Sequence, residues 1–98
     1  KKAIKAGPQY DGYYYNLGNL LFSMQRYQEA ALQFERGIKI NPRRLSNYEA
    51  LGGSYWQQGE AQKAMEMFHR ILRHQTDNET ARATLDFMQK SQINKKNP

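Results

Sequence analysis

The sequence contains no cysteine, only 3 prolines among its 98 residues, and no long apolar run. The lack of cysteine excludes disulfides and thiolate metal sites, but it leaves cytoplasmic and bacterial periplasmic locations open, because many exported proteins also lack cysteine. No apolar stretch approaches the roughly 20 residues of a membrane-spanning helix, and residues 1–10 lack the apolar segment of a signal peptide. Length and composition together predict one domain with a thin core.

Sequence patterns of catalysis are also absent. No glycine-rich phosphate loop follows a predicted strand, and no serine lies on a recognisable nucleophile elbow. His69 and His74 are five residues apart, and at ~100° per residue they point about 140° away from each other on a helix, so they cannot share a metal ion. We therefore expect no enzymatic activity, no metal site and no cofactor.

The net charge of +6 comes from 15 basic residues against 9 acidic ones. Five lysines lie near the termini, at positions 1, 2, 5, 95 and 96, which leaves 10 basic residues against 9 acidic ones elsewhere. We interpret the excess as solvated tails. A predicted helix carries Lys63, Arg70 and Arg73, but it lacks the exposed stacking aromatics that single-stranded nucleic acid uses, so nucleic acid is not an expected partner.

The chain contains two similar segments, which align without insertion or deletion when position 14 is placed on position 48. Identical residues align as Tyr14 with Tyr48, Leu17 with Leu51, Gly18 with Gly52, Gln28 with Gln62, Ala30 with Ala64, Phe34 with Phe68 and Arg36 with Arg70. A fixed period of this length is typical of a helical solenoid, in which each unit buries its apolar face against its neighbours.

Each unit has the pattern of two helices. In the first unit Tyr14, Leu17 and Leu21 recur at spacings of three and four, so they share one helical face, and a second such stripe includes Ala30 and Phe34. The small residues at 18 and 30 let the two helices approach closely, with the phenylalanine filling the space beside them. The second unit repeats this arrangement.

Two kinds of turn separate the helices. Asn41-Pro42 ends the second helix of the first unit, because proline cannot continue a helix. Gly59 supplies a left-handed turn position between the helices of the second unit. Gln25 stands at the equivalent position of the first unit, and Thr76 stands where the second unit would have its closing proline.

The 4 methionines could in principle form an adaptable binding surface. Their spacing instead favours gap-filling positions in the core for Met24, Met67 and Met88. We expect Met65 to lie outside the core.

These residues resemble the tetratricopeptide repeat. The matching patterns are Tyr14-x2-Leu17-Gly18-x2-Leu21 with Ala30-x3-Phe34 and Pro42, and Tyr48-x2-Leu51-Gly52-x2-Tyr55 with Ala64-x3-Phe68. Tyrosine replaces the family's first tryptophan in both units. The resemblance implies an all-α fold, a right-handed superhelical α-solenoid of helix-turn-helix repeats, with units at 11–44 and 45–78.

The residues before and after the two units match the repeat pattern only in part. Residues 1–10 are interpreted as the tail of a preceding repeat, because Ile4, Lys5 and Pro8 lie one period before matching residues of the first unit. Leu85 keeps the apolar column, whereas Arg82 replaces the aromatic. We therefore expect a C-terminal capping helix over 79–92, since solenoids need a polar outer face at their ends, and a disordered tail over 93–98.

In the resembled family the first helix of each repeat lines a concave groove. The resemblance therefore implies a groove lined by Tyr15, Asn19, Phe22, Ser23, Glu49, Gly53, Trp56, Gln57, Ala83, Phe87 and Lys90. Phe22 and Trp56 are not required by the core stripe, so they either anchor apolar side chains of a bound segment or pack against the neighbouring repeat.

Some family members grip the acidic C-termini of chaperones with lysines, asparagines and an arginine at fixed groove positions. Asn19 matches one asparagine, but Gly53, Ala83 and Phe87 stand where the others are needed. A terminal carboxylate would lack cationic partners here, so we do not expect that function.

Two functions remain open. The chain is either an adaptor that binds a peptide or extended protein segment in the groove, or the structural end of a longer superhelix. In the second case the chain would dock other domains, or it would self-associate through the N-terminal segment to form a homo-oligomer.

Overall fold

The computed structural model describes residues 10–96, with side chains as far as Ile93. Over those residues it contains helices and no strand, namely α1 (Asp11–Ser23), α2 (Tyr27–Ile40), α3 (Leu45–Gln57), α4 (Ala61–His74) and α5 (Glu79–Lys96). Each helix packs mainly on its neighbours in the chain, and α1 also contacts α3. The predicted all-α solenoid is confirmed. None of the helices within 10–96 is long and apolar enough to cross a membrane.

A phenylalanine ring packed on a glycine holds each helix pair together. A Cβ added to Gly18 would lie 2.5 Å from a ring carbon of Phe34, and one added to Gly52 would lie 2.5 Å from a ring carbon of Phe68. These distances are too short for any van der Waals contact, so the observed packing requires glycine at both positions. The predicted close approach of the two helices in each pair is confirmed.

The turn inside each pair closes with the same hydrogen bonds. In the first pair the Arg26 N–H donates to the Leu21 carbonyl at 2.9 Å, and the equivalent bond of the same length closes the second pair. This closure is a Schellman motif, which places a left-handed residue just before the closing donor. Gly59 takes that conformation at φ +82°, as predicted, and Gln25 takes it at φ +63° although it is not a glycine.

Two tyrosines of α3 fasten it to the preceding unit. The Tyr48 hydroxyl donates to the Pro42 carbonyl at 3.0 Å, and the Tyr55 hydroxyl donates to the Glu35 carboxylate at 2.5 Å. Burial, and then the Glu35 carboxylate, raise the pKa of Tyr55. Its hydroxyl therefore remains a protonated donor at neutral pH.

At each junction between the second helix of one unit and the first helix of the next, one of two equivalent positions holds a large residue and the other a small one. The order of large and small is opposite at the two junctions. At the α2–α3 junction Asn47 is fully buried against Gly37, where an added Cβ would meet the amide nitrogen at 2.8 Å. Neither polar atom of the Asn47 side chain has a hydrogen-bond partner among the described residues. One period later, at the α4–α5 junction, the buried pair is Ile71 with Ala81, and both line one cavity.

The methionine expectations are half right. Met67 and Met88 are buried as predicted, whereas Met24 is half exposed and Met65 is buried. Met24 follows α1 on the side that no described helix covers. Met65 faces the long last helix, where Ile93 lines the same cavity.

The last helix is longer than the sequence pattern predicts. Its expected end lies at residue 92, with a disordered tail over 93–98, but the helix continues to Lys96. No glycine or proline interrupts it before Pro98, and the glutamine and lysine residues of this stretch favour helix. The predicted tail is therefore wrong for 93–96. Residues 97–98, and residues 1–9 of the expected preceding repeat, lie outside the described part of the chain.

Replacing Gln25 by glycine is expected to raise the free energy of unfolding by up to about 1 kcal/mol. The left-handed conformation costs a residue with a Cβ roughly 1–2 kcal/mol, and the greater freedom of glycine in the unfolded chain offsets about 0.5–1 kcal/mol of the gain. Urea unfolding of Gln25→Gly measures the difference. The matched control is Gln25→Ala, which keeps the strain and should be no more stable than the parent chain. Equal gains in both variants would assign the effect to the glutamine side chain instead.

The Gly37 and Asn47 pair predicts strong coupling between two substitutions. Gly37→Ala alone forces a methyl group into the Asn47 amide and should destabilise by about 1–3 kcal/mol. In an Asn47→Ala background the same change has room, so the helix propensity of alanine should make it neutral or stabilising by up to about 1 kcal/mol. A double-mutant cycle by urea unfolding tests this. An equal cost of Gly37→Ala in both backgrounds would contradict the steric account.

Candidate protein-binding groove

The first helices of the successive units, α1, α3 and α5, carry all the predicted groove residues. The exposed ones among them are Asn19, Ser23, Glu49, Gln57, Ala83, Phe87 and Lys90, and the half-buried ones are Tyr15, Phe22, Gly53 and Trp56. In the phenylalanine–glycine packing, one face of α1 contacts α2 and one face of α3 contacts α4. The predicted groove residues lie on the other faces of α1 and α3, so they stay accessible.

A cavity of about 290 Å³ lies between α1 and α3. It is lined by Tyr15, Asn19, Phe22, Ser46, Glu49, Ala50 and Gly53. Five of these seven residues are predicted groove residues, so the structure brings this subset together. Ser46 and Ala50 are missing from the prediction, although they lie three residues before predicted members on the same helical face and could have been found by extending that stripe.

Gly53 forms the floor of this cavity. A Cβ added there would lie 3.8 Å from a ring carbon of Phe22, which is an ordinary van der Waals contact. An alanine would therefore fit, while a larger side chain would occupy the cavity. In contrast to Gly18 and Gly52, the glycine at 53 is not required by the packing of a helix pair, and its effect is to keep space open.

Phe22 packs within its own unit and also lines the cavity. Its ring packs edge-on against Tyr27 at the start of α2, with ring centroids 4.9 Å apart and an interplanar angle of 72°. The same side chain lines the cavity between α1 and α3. The tyrosine holds the ring in place, so Phe22 presents a fixed apolar wall.

Trp56 and Phe87 form a second aromatic feature, between α3 and α5. Their ring centroids are 6.2 Å apart with an interplanar angle of 56°. Trp56 packs on the core and is half-buried, whereas Phe87 is 62% exposed. Trp56 therefore packs against the neighbouring element, and Phe87 is the more accessible ring of the pair.

Four further predicted residues, Ser23, Gln57, Ala83 and Lys90, do not line the cavity between α1 and α3. The Ser23 hydroxyl donates to the carbonyl of Leu20 at 2.7 Å on its own helix. Lys90 pairs with Asp86 at 3.3 Å. Ala83 and Gln57 are exposed.

Comparisons with known proteins agree with this architecture. Residues 13–44 match the family model of the tetratricopeptide repeat. The small glutamine-rich tetratricopeptide repeat-containing protein 2 of Saccharomyces cerevisiae is 30% identical over 86 residues, which are 88% of this chain and 25% of that protein. Its namesake in Mycosarcoma maydis is 40% identical over 42 residues, covering 43% of this chain and 12% of that protein.

A UDP-N-acetylglucosamine–peptide N-acetylglucosaminyltransferase of Giardia intestinalis is also similar. It is 31% identical over 80 residues, which are 82% of this chain but 5% of the transferase. The chain thus spans about a quarter of the yeast relative and a small fraction of the transferase.

Helix pairs that recur at a fixed period define the class, a helical-repeat protein. Within that class the chain belongs to the tetratricopeptide repeat family. Segments of this family are protein-interaction modules, which supports the partner class that the resemblance implied, another protein.

Proposed function

We propose that this chain is a non-catalytic adaptor or scaffold segment that holds a peptide or extended segment of a partner protein in the groove of α1, α3 and α5. The observation that carries the proposal is the cavity between α1 and α3, where aromatic, amide and carboxylate side chains converge over an open glycine floor. The exposed ring of Phe87 offers a second apolar contact along the same row.

The composition of this cavity suits an extended polypeptide. Phe22 and Tyr15 supply apolar walls for a side chain, and aromatic residues dominate the binding energy of many interfaces. The amide of Asn19 can donate to a backbone carbonyl and accept from a backbone N–H. No cofactor is needed for this mode of binding.

The variant Gly53→Leu tests the groove, because leucine favours helix over glycine and its side chain would fill the cavity. Peptides are first selected from a displayed random library on the parent chain. Their affinity for Gly53→Leu should fall at least tenfold, and amide shifts on binding to the parent chain should centre on Tyr15, Asn19 and Phe22.

The matched control is Gln62→Leu, which adds the same side chain at an exposed position of α4, and it should leave affinity unchanged. Peptides that bind Gly53→Leu as well as they bind the parent chain would place binding outside the cavity and refute the proposed groove function.

A second candidate function rests on another surface, which we call the N-terminal face. It consists of Tyr10, Tyr13, Leu20 and Met24, which are 52%, 47%, 57% and 50% exposed. One period later these positions are Arg44, Asn47, Ser54 and Gln58, and the two central ones, Asn47 and Ser54, are both 0% exposed because α3 packs on α2. Large apolar residues thus lie on α1 and at its ends, at positions whose equivalents on α3 are covered by the preceding helix.

We propose that this face mediates self-association, as the structural alternative to a groove adaptor. Sedimentation velocity across protein concentration should show a dimer forming. The double variant Tyr13→Asn with Leu20→Ser introduces the residues that α3 has at these positions, and it should stay monomeric. Ile93→Asn, which removes an exposed apolar residue on α5, should dimerise like the parent chain. A parent chain that stays monomeric up to about 1 mM would refute this alternative.

A further inference from the structure

We infer that the groove recognises a segment that carries a basic side chain two positions away from a large apolar one, so that its partner is cationic rather than acidic. This inference rests on the proposed groove function and adds the chemistry of the ligand to it. Three observations carry it: the place of Glu49, the pairing of the nearby cations, and the spacing along α3.

Glu49 is the sole charged side chain that lines the cavity between α1 and α3. It also lines the neighbouring cavity of about 280 Å³ at the junction of α3, α4 and α5, where every other lining residue is uncharged. One carboxylate is therefore the only formal charge among the side chains that line these two adjacent cavities. It is exposed to solvent and so available to a ligand.

The charges around the groove leave this carboxylate uncompensated. Within residues 10–93 Glu49 takes part in no ion pair, whereas Arg44 is paired with the buried Asp11 and Lys90 is paired with Asp86. Neither α1 nor α3 contains a lysine or arginine. The basic residues of the described repeats lie instead on the outer helices, α2 and α4, and in the loops.

The neighbours of Glu49 fit a cation. An ammonium or guanidinium group would form a charge-assisted hydrogen bond with the carboxylate. Tyr15 lines the same cavity, and aromatic rings attract cations. An acidic segment would meet like charge with no compensating cation from α1 or α3.

The spacing along α3 gives the pattern of the ligand. Glu49 and Gly53 are four residues apart on a helix that rises 1.5 Å per residue, so they lie about 6 Å apart along its axis. In an extended segment, side chains two positions apart lie on the same side at about 6.6 Å. A basic side chain at Glu49 therefore places the side chain two positions away over the glycine floor, beside Phe22.

Two pools of eight-residue peptides, acetylated and amidated, test the inference. One pool has Lys-x-Leu at its centre and the other has Glu-x-Leu, with all remaining positions randomised among uncharged residues. The lysine pool should bind about tenfold more tightly at low salt, measured by anisotropy of a fluorescent label and by the amide shifts of Tyr15 and Phe22. The preference should shrink as ionic strength rises.

Charge variants make the test specific to one carboxylate. Glu49→Gln should weaken binding of the lysine pool about two- to fivefold, in keeping with an exposed ion pair, and Glu49→Lys should reverse the preference between the pools. Glu29→Gln, on the outer helix α2, is the matched control and should change nothing.

Equal or tighter binding of the glutamate pool, with shifts at the same groove residues, would overturn the inference while leaving the groove function intact. Binding of neither pool would also overturn the inference. The groove function itself is decided separately by the loss of library-selected peptides in Gly53→Leu.

Discussion

The contact between a phenylalanine ring and a helical glycine is the interaction on which the rest of this structure depends. Phe34 on Gly18 and Phe68 on Gly52 fix how closely the two helices of each pair approach. Any side chain at either glycine would separate the helices, because interiors are packed without spare volume. The separation of the helices within a pair in turn sets where α1 and α3 lie beside each other, and so it sets the width of the cavity between them. The groove is therefore a consequence of packing on the opposite side of its own helices.

Glycine has a different role at position 53. There the helix is not in tight contact, and the missing side chain leaves a depression below Phe22. Phe22 itself is fixed by Tyr27, so the wall of the depression is rigid while its floor is empty. In the proposed binding mode, such a preformed cavity would lose little conformational entropy. The helices α1 and α3 thus combine aromatic walls with one exposed carboxylate, that of Glu49, and neither of them carries a lysine or arginine.

The fixed period of the sequence is sufficient to predict the helix pairs and the glycine–phenylalanine contacts, because each of these is local to one unit and recurs. It does not predict the left-handed conformation of Gln25, where a residue with a side chain replaces the glycine of the second unit. Five members of the cavity are predictable because the family resemblance assigns the groove to the first helix of each repeat, and spacing then defines which helical face stays outside the core. Spacing does not tell which neighbour covers a face. Met65 is buried, against expectation, on the side of α4 that faces α5, where Gln89, Gln92 and Ile93 line the same cavity. Met24 is half exposed because no described helix covers it. The pairing of Trp56 with Phe87 likewise depends on two units and their relative position.

The alternation of large and small residues at the junctions has a consequence for the order of the units. Gly37 lies against Asn47, and at the equivalent positions of the next junction Ile71 and Ala81 are both buried. If the units were shuffled so that α4 preceded α3, the side chain of Ile71 would meet Asn47, and if α2 preceded α5, Gly37 would face Ala81 across a void. The first arrangement is overfilled and the second is underfilled, and both are destabilising. Two units with the same backbone fold are thus not interchangeable, because the volumes of the residues at each junction favour one order of the units.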